Sequence, residues 1–217
     1  MKKITIMVIA LLSVICFVVP VSALTFEFNS TYTGSSPFGP APWLTMTFTD
    51  KATYVELVIA SNLASPQYVS NLYFNLNQAL TPGSLNFAFQ SGTGPAASSI
   101  TVAPPEISAP GDGKYDFLFA FPTANNVNRL DGTESVVYWI TGSGLTANSF
   151  NVLGTPGPGS TAGPFLAVAH VQGIVGSEFG SGHIYPGEGT TLVPEPGTML
   201  LLGLGLLGLG IMVRKRS

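Results

Sequence analysis

Apolar and polar positions alternate with a period of two through most of this chain, the pattern of strands that bury one face and wet the other. Leu24, Phe26 and Phe28 fall on one face with Thr25 and Glu27 opposite, and Leu44, Met46 and Phe48 alternate with three threonines. Tyr54 to Ala60 is a more fully apolar run. Leu72, Phe74 and Leu76 alternate with Tyr73 and Asn75, and Leu85, Phe87 and Phe89 follow the turn Thr81-Pro82-Gly83. The clearest stripe is Tyr115, Phe117, Phe119 and Phe121, entered through Gly111-Asp112-Gly113 and expected to lie in the core. Residues 135–140 and 165–174 read as further strands, and 150–153 as a weaker one. About nine strands separated by Gly, Pro, Asn and Ser turns, with no amphipathic helix beyond two turns, predict an all-β fold. The expected form over residues 24–193 is an antiparallel β-sandwich of jelly-roll type.

Two apolar runs break the alternation, and each abuts basic residues. Lys2-Lys3 precede the run 4–19, then Pro20 and Val21-Ser22-Ala23. A basic start, a short apolar stretch and small residues at the −3 and −1 positions are the layout of a secretory signal peptide, residues 1–23, cut by signal peptidase after Ala23. The alternative is an uncleaved anchor. Cys16 follows Ile15 inside the apolar run, without the small residue that lipidation of a cysteine requires. At the other end Pro194-Glu195-Pro196 leads into the apolar run 199–213 and then Arg214-Lys215-Arg216, a basic stop. As a helix that run spans about 22 Å, short of a hydrocarbon core of about 30 Å; insertion then relies on local thinning and snorkelling of the flanking bases. A basic tail held in the cytoplasm places residues 24–193 outside the inner membrane. Two prolines one residue apart disfavour helix and remove sheet donors, which leaves Glu195 extended and accessible.

The ordered set of Pro194-Glu195-Pro196, a Leu/Gly-rich span and a terminal Arg/Lys cluster, on a chain with a signal-peptide layout, resembles the PEP-CTERM sorting signal of Gram-negative bacteria. That tail is also called the ice-binding protein C-terminal domain. The resemblance covers the sorting segment 194–217 alone. It implies recognition by an exosortase, a membrane-embedded cysteine peptidase or transpeptidase, after transient anchoring in the inner membrane. Cleavage near Pro194-Glu195-Pro196 and release or transfer to the cell surface would follow, in organisms that usually make exopolysaccharide. A plain C-terminal anchor with a proline-rich stalk is the competing reading. The segments 72–76, 112–117 and 169–174 loosely resemble ectodomains that precede this tail, which supports architecture rather than activity.

Composition narrows the chemistry. Charged residues make up 9% of the chain, against about 25% in a typical soluble domain. Between residues 24 and 193 only Lys51, Lys114 and Arg129 stand against ten acids, which argues against a nucleic-acid partner. The same stretch has no cysteine, so it has neither a disulfide nor a thiol nucleophile. There is no Gly-x-Ser-x-Gly elbow. Two histidines, His170 in mid-strand and His183 at a loop or strand edge, lack a third ligand at zinc spacing. A glycosidase needs two carboxylates about 5–10 Å apart, and nothing singles out a pair. Asp112, Asp116, Asp131 and Glu134 flank two Asp-Gly turns and are weak candidates for calcium, but Asp-Gly is first a turn signal. Trp43 and Trp139 are expected to pack in the core; exposed, they would stack on sugar rings. No cofactor is expected. These residues suggest an exported, non-enzymatic structural or adhesive component of an exopolysaccharide layer. The alternatives are a carbohydrate-binding module and, less well supported, a polysaccharide hydrolase.

Overall fold

In the computed structural model, residues 22–194 are described, apart from 125–127, 158–159, 161 and 188–190. The strands are β1 (Ser22–Gly34), β2 (Leu44–Asp50), β3 (Val55–Ser61), β4 (Tyr68–Phe74), β5 (Asn86–Gly92), β6 (Ser99–Ala109) and β7 (Gly113–Ala120). They continue as β8 (Leu130–Asp131), β9 (Ser135–Thr141), β10 (Thr155–Pro156), β11 (Ala167–Gln172), β12 (Ser181–Pro186) and β13 (Thr191–Pro194). All thirteen join one sheet whose main path runs β10-β7-β4-β11-β12-β1-β2-β3-β9-β5. Three strands lie off that path: β6 pairs β7, β8 pairs β4 and β13 pairs β1. The main-path pairings are antiparallel, as β2 against β3 and β3 against β9 illustrate. The fold is therefore all-β and antiparallel, built from a single curled sheet.

Alternation explains which face curls inward. In β2 and β3 every second side chain is buried, so Leu44, Met46 and Phe48 share a wall with Val55, Leu57 and Ile59. Across the core the rings of β5 and β9 meet those of β4 and β7. Phe87 lies edge-on to Phe117 at 5.1 Å and Phe119 packs on Tyr138 at 5.2 Å. Strands near opposite ends of the path thus face each other over one apolar centre. Phe74 sits in its middle, touching the rings of Phe48, Phe87, Phe117, Phe119 and Phe150. Burial of each such ring contributes about 1.5–3 kcal/mol.

The structure departs from the sequence pattern in several places, the short strands β8, β10 and β13 among them. Residues 150–153 do not form a strand: Ala147–Phe150 is a 3-10 turn, opened by reciprocal Thr146 and Ser149 side-chain bonds. Asp50 anchors it by accepting the Ala147 N–H at 2.6 Å, and Phe150 then stacks on Phe48 at 4.1 Å. The pattern also missed β6, whose central Pro104-Pro105 hides the alternation, and β12, a short run flanked by glycine. In the Tyr115–Phe121 stripe, Phe117, Phe119 and Phe121 face the main core, but Tyr115 is buried in a second cluster with Tyr73, Ala109 and Val168. The alternation slips at Asp116, where β6 is also out of step: Val102 pairs Phe117, but the next pair is Ile107 with Tyr115.

Candidate functional site

Outside the core, the face of β4, β11, β12 and β1 carries a band of rings and polar groups. Cross-strand register sets His170 opposite His183, and their imidazoles stack at 4.4 Å and 10°. Ser70 Oγ lies 2.9 Å from His170 Nδ1 and donates to the His170 carbonyl at 3.2 Å. Tyr32 covers His183 and also meets Phe165 and Tyr185, which stack on each other at 3.8 Å. Burial pushes both imidazoles toward the neutral form, His183 down to about 4, helped by the charge of His170. A neutral, stacked pair fits structural packing. His183 is thus a strand residue of β12, while His170 holds its expected mid-strand place.

The four candidate calcium residues are not brought together. Register along β4 separates them: Asp131 pairs Tyr68, whereas Asp116 lies beside Asn75, past the Phe74–Phe117 pair. Six residues of strand lie between those pairings, about 20 Å at the usual rise. Glu134 Oε2 accepts the Asp131 N–H at 3.2 Å, a turn closure. Asp112 is buried in the second cluster, where its Oδ2 accepts the Tyr115 hydroxyl, and burial raises its pKa. Among the described residues no group of three His, Cys, Asp or Glu side chains is placed to hold a metal ion.

The two tryptophans part company. Trp43 is buried as expected, with Nε1 donating to the Gly39 carbonyl at 3.1 Å. Trp139 is not in the core. Its neighbours Tyr138 and Ile140 face inward, so alternation sends Trp139 to the outer face, 39% exposed and stacked on Tyr54 at 4.4 Å. The strand context of residues 135–140 carried that signal, because an inward Tyr138 requires an outward Trp139.

Sequence reasoning also missed a clasp at the end of β4. Asn75 Oδ1 accepts the Asp116 N–H at 2.9 Å, and Asp116 Oδ2 accepts the Leu76 N–H at 2.8 Å. Both residues are buried, and burial raises the Asp116 pKa, partly offset by the Leu76 bond. They line a cleft of about 210 Å³.

The last strand, β13, ends at Pro194, the first residue of the Pro-Glu-Pro motif. Glu195, Pro196, the apolar run 199–213 and the basic stop Arg214-Lys215-Arg216 lie outside the described residues, as does the signal segment up to Val21. The cut expected after Ala23 falls within β1, just ahead of its first buried side chain, Leu24. Among the described residues no helix is long and apolar enough to cross a membrane. A polypeptide that ends its sheet on a Pro-Glu-Pro, apolar and basic sequence has the layout of a sorted envelope protein. The family model of the PEP-CTERM protein-sorting motif matches residues 192–216. That motif indicates an exported protein sorted to the cell envelope or surface by an exosortase-type enzyme. No curated protein and no solved structure matches the chain.

Proposed function

We propose that this chain is a non-enzymatic protein whose β body is delivered to the cell surface or exopolysaccharide matrix and serves there as a structural or adhesive component. The observation that carries this reading is the match of residues 192–216 to the sorting motif, directly following an antiparallel sheet. Signal peptidase removes residues 1–23 and an exosortase-type enzyme acts near Pro194-Glu195-Pro196, after transient anchoring in the inner membrane of a Gram-negative cell. The body is a jelly-roll-like sandwich in which the curled sheet supplies both layers; the contact of Phe87 with Phe117 across the core supports that description. Intact-mass measurement of the native secreted form tests the sorting. The expected species lacks both ends, and changing Pro194, Glu195 and Pro196 together to alanine leaves the tail attached and the protein cell-associated. Unchanged processing of the triple variant overturns the reading.

A carbohydrate-binding module is the second reading. The exposed Trp139, stacked on Tyr54 on the outer face of β9, favours it, because flat aromatic pairs suit the C–H faces of sugar rings.

A further inference from the structure

Two hairpin tips flank the outer face of the sheet where β1 meets β12. The tip between β6 and β7 is pinned there by Tyr32, whose hydroxyl donates to the Pro110 carbonyl at 2.9 Å. The loop between β11 and β12 is closed by its own bonds. The Ile174 N–H donates to the Gly180 carbonyl at 3.0 Å, and Ser177 Oγ donates to the Ile174 carbonyl at 2.6 Å while accepting the Gly180 N–H at 3.1 Å. That closure holds Phe179, 64% exposed, at the rim of a cavity of about 390 Å³. Pro110 forms another wall, and the cross-strand pair Gly34 and Gly182 adds no side chain to the space.

Register brings three polar side chains into this lining. Thr33 pairs with His183 across the strands, and Ser181 precedes His183 by two positions on the same face. The Thr33 and Ser181 hydroxyls and the two His183 ring nitrogens have no hydrogen-bond partner among the described residues. None of these four atoms is among the fully buried ones left without a partner, so solvent reaches each of them. Burial keeps His183 neutral above its lowered pKa of about 4, so one ring nitrogen donates and the other accepts. Each hydroxyl does both. Of the described residues that line the cavity, none is charged.

We propose that this cavity binds one neutral sugar residue of a polysaccharide, its hydroxyls exchanging hydrogen bonds with Thr33, Ser181 and His183 and its C–H face lying on Phe179. Sugar hydroxyls donate and accept in turn, which matches an uncharged lining of hydroxyls and imidazole. An anion finds no lysine or arginine in the lining, and a cation finds no carboxylate. His170 and His183 do not chelate one metal ion, because stacking at 10° puts their lone pairs in parallel planes that do not converge. A peptide strand finds no free edge: Gly34 and Gly182 are already laddered, and the Ser35 N–H donates to the Ser181 carbonyl at 2.9 Å. An acyl chain strips water from four polar atoms and returns no hydrogen bond. The volume lies near the lower end of the roughly 300–1,000 Å³ of small-molecule sites, which suits one ring of a chain that runs on outside. Strands β1, β2 and β3 separate this site from Trp139 on β9, so it stands independently of that surface and of the sorting segment.

The test is NMR of the His183 and Phe179 ring resonances in the ¹³C-labelled full chain. It is titrated with methyl β-D-glucopyranoside, methyl β-D-galactopyranoside and methyl α-D-mannopyranoside, and separately with N-methylacetamide and zinc chloride as the competing chemistries. The expected result is a saturable shift of both rings by at least one glycoside, with a Kd on the order of millimolar. His183→Phe keeps a ring against Tyr32 and His170 but removes both nitrogens; read at Phe179, it is expected to weaken binding at least about tenfold. Phe179→Ala, on the exposed loop, is expected to weaken binding about three- to tenfold, read at His183, and decides the matter if His183→Phe unfolds. No saturable shift with any glycoside, a response to the amide or to zinc alone, or full affinity in either folded variant overturns the proposal.

Discussion

Acid should weaken this fold through the histidine pair, and the size of the effect follows from the structure. An unfolded histidine titrates near 6.5, whereas burial and the neighbouring His170 hold folded His183 down to about 4. Between those values the unfolded chain carries a proton that the folded chain does not. Stability is therefore intact above pH 6.5 and declines as pH falls toward 4. Over the two pH units from 6.5 to 4.5, one proton sets a ceiling of about 2.7 kcal/mol. Partial exposure of the ring reduces this to about 1–2 kcal/mol. His170 is lowered too and acts in the same direction. Asp112 and Asp116 act in the opposite direction: their folded pKa values are raised, so they favour folding at low pH and lose that contribution as pH rises through those values. Comparison with His183→Gln removes the acid contribution, which both proteins share. In urea unfolding followed by tryptophan fluorescence, the wild type is expected to lose about 1–2 kcal/mol more than the variant between pH 7 and 4.5. Parallel stability curves, or an NMR titration placing folded His183 at 6 or above, would refute the argument.

Two further outcomes test the core and the outer face. Phe74→Ala removes a ring that meets five others and should cost about 3–5 kcal/mol, a large share of the roughly 5–15 kcal/mol available to a domain; a urea midpoint shift worth less than about 2 kcal/mol would show that the core is not centred there. Trp139→Ala should reduce retention on the host's exopolysaccharide while changing unfolding by no more than about 1 kcal/mol, and undiminished retention would remove the stacking reading.

Period-two alternation was enough to place the core face of β1 and β2, of Leu72 and Phe74 in β4 and of Phe117 and Phe119 in β7, because a strand buried on one face writes its orientation into every second residue. It failed where the backbone changes step. Tyr115 reads as one stripe with Phe117, but the slip at Asp116 sends it to another cluster. The 3-10 turn at Ala147–Phe150 depends on Asp50, nearly a hundred positions earlier, and no local window contains that bond. The sorting segment was legible because its signal is a linear order of residue types that needs no strand pairing to bring its members together. The Asn75–Asp116 clasp was not, since its two members meet only when β4 and β7 pair.

The two outermost flanks of the sheet bear on how this protein behaves when crowded. One belongs to β6, interrupted by Pro104 and Pro105, and the other to β5, whose pairing with β9 shifts register between Phe89 and Ser91. Missing donors on one border and an uneven outline on the other discourage strand-on-strand stacking between molecules. Many copies held side by side at high local concentration then stay separate units instead of fusing into fibres.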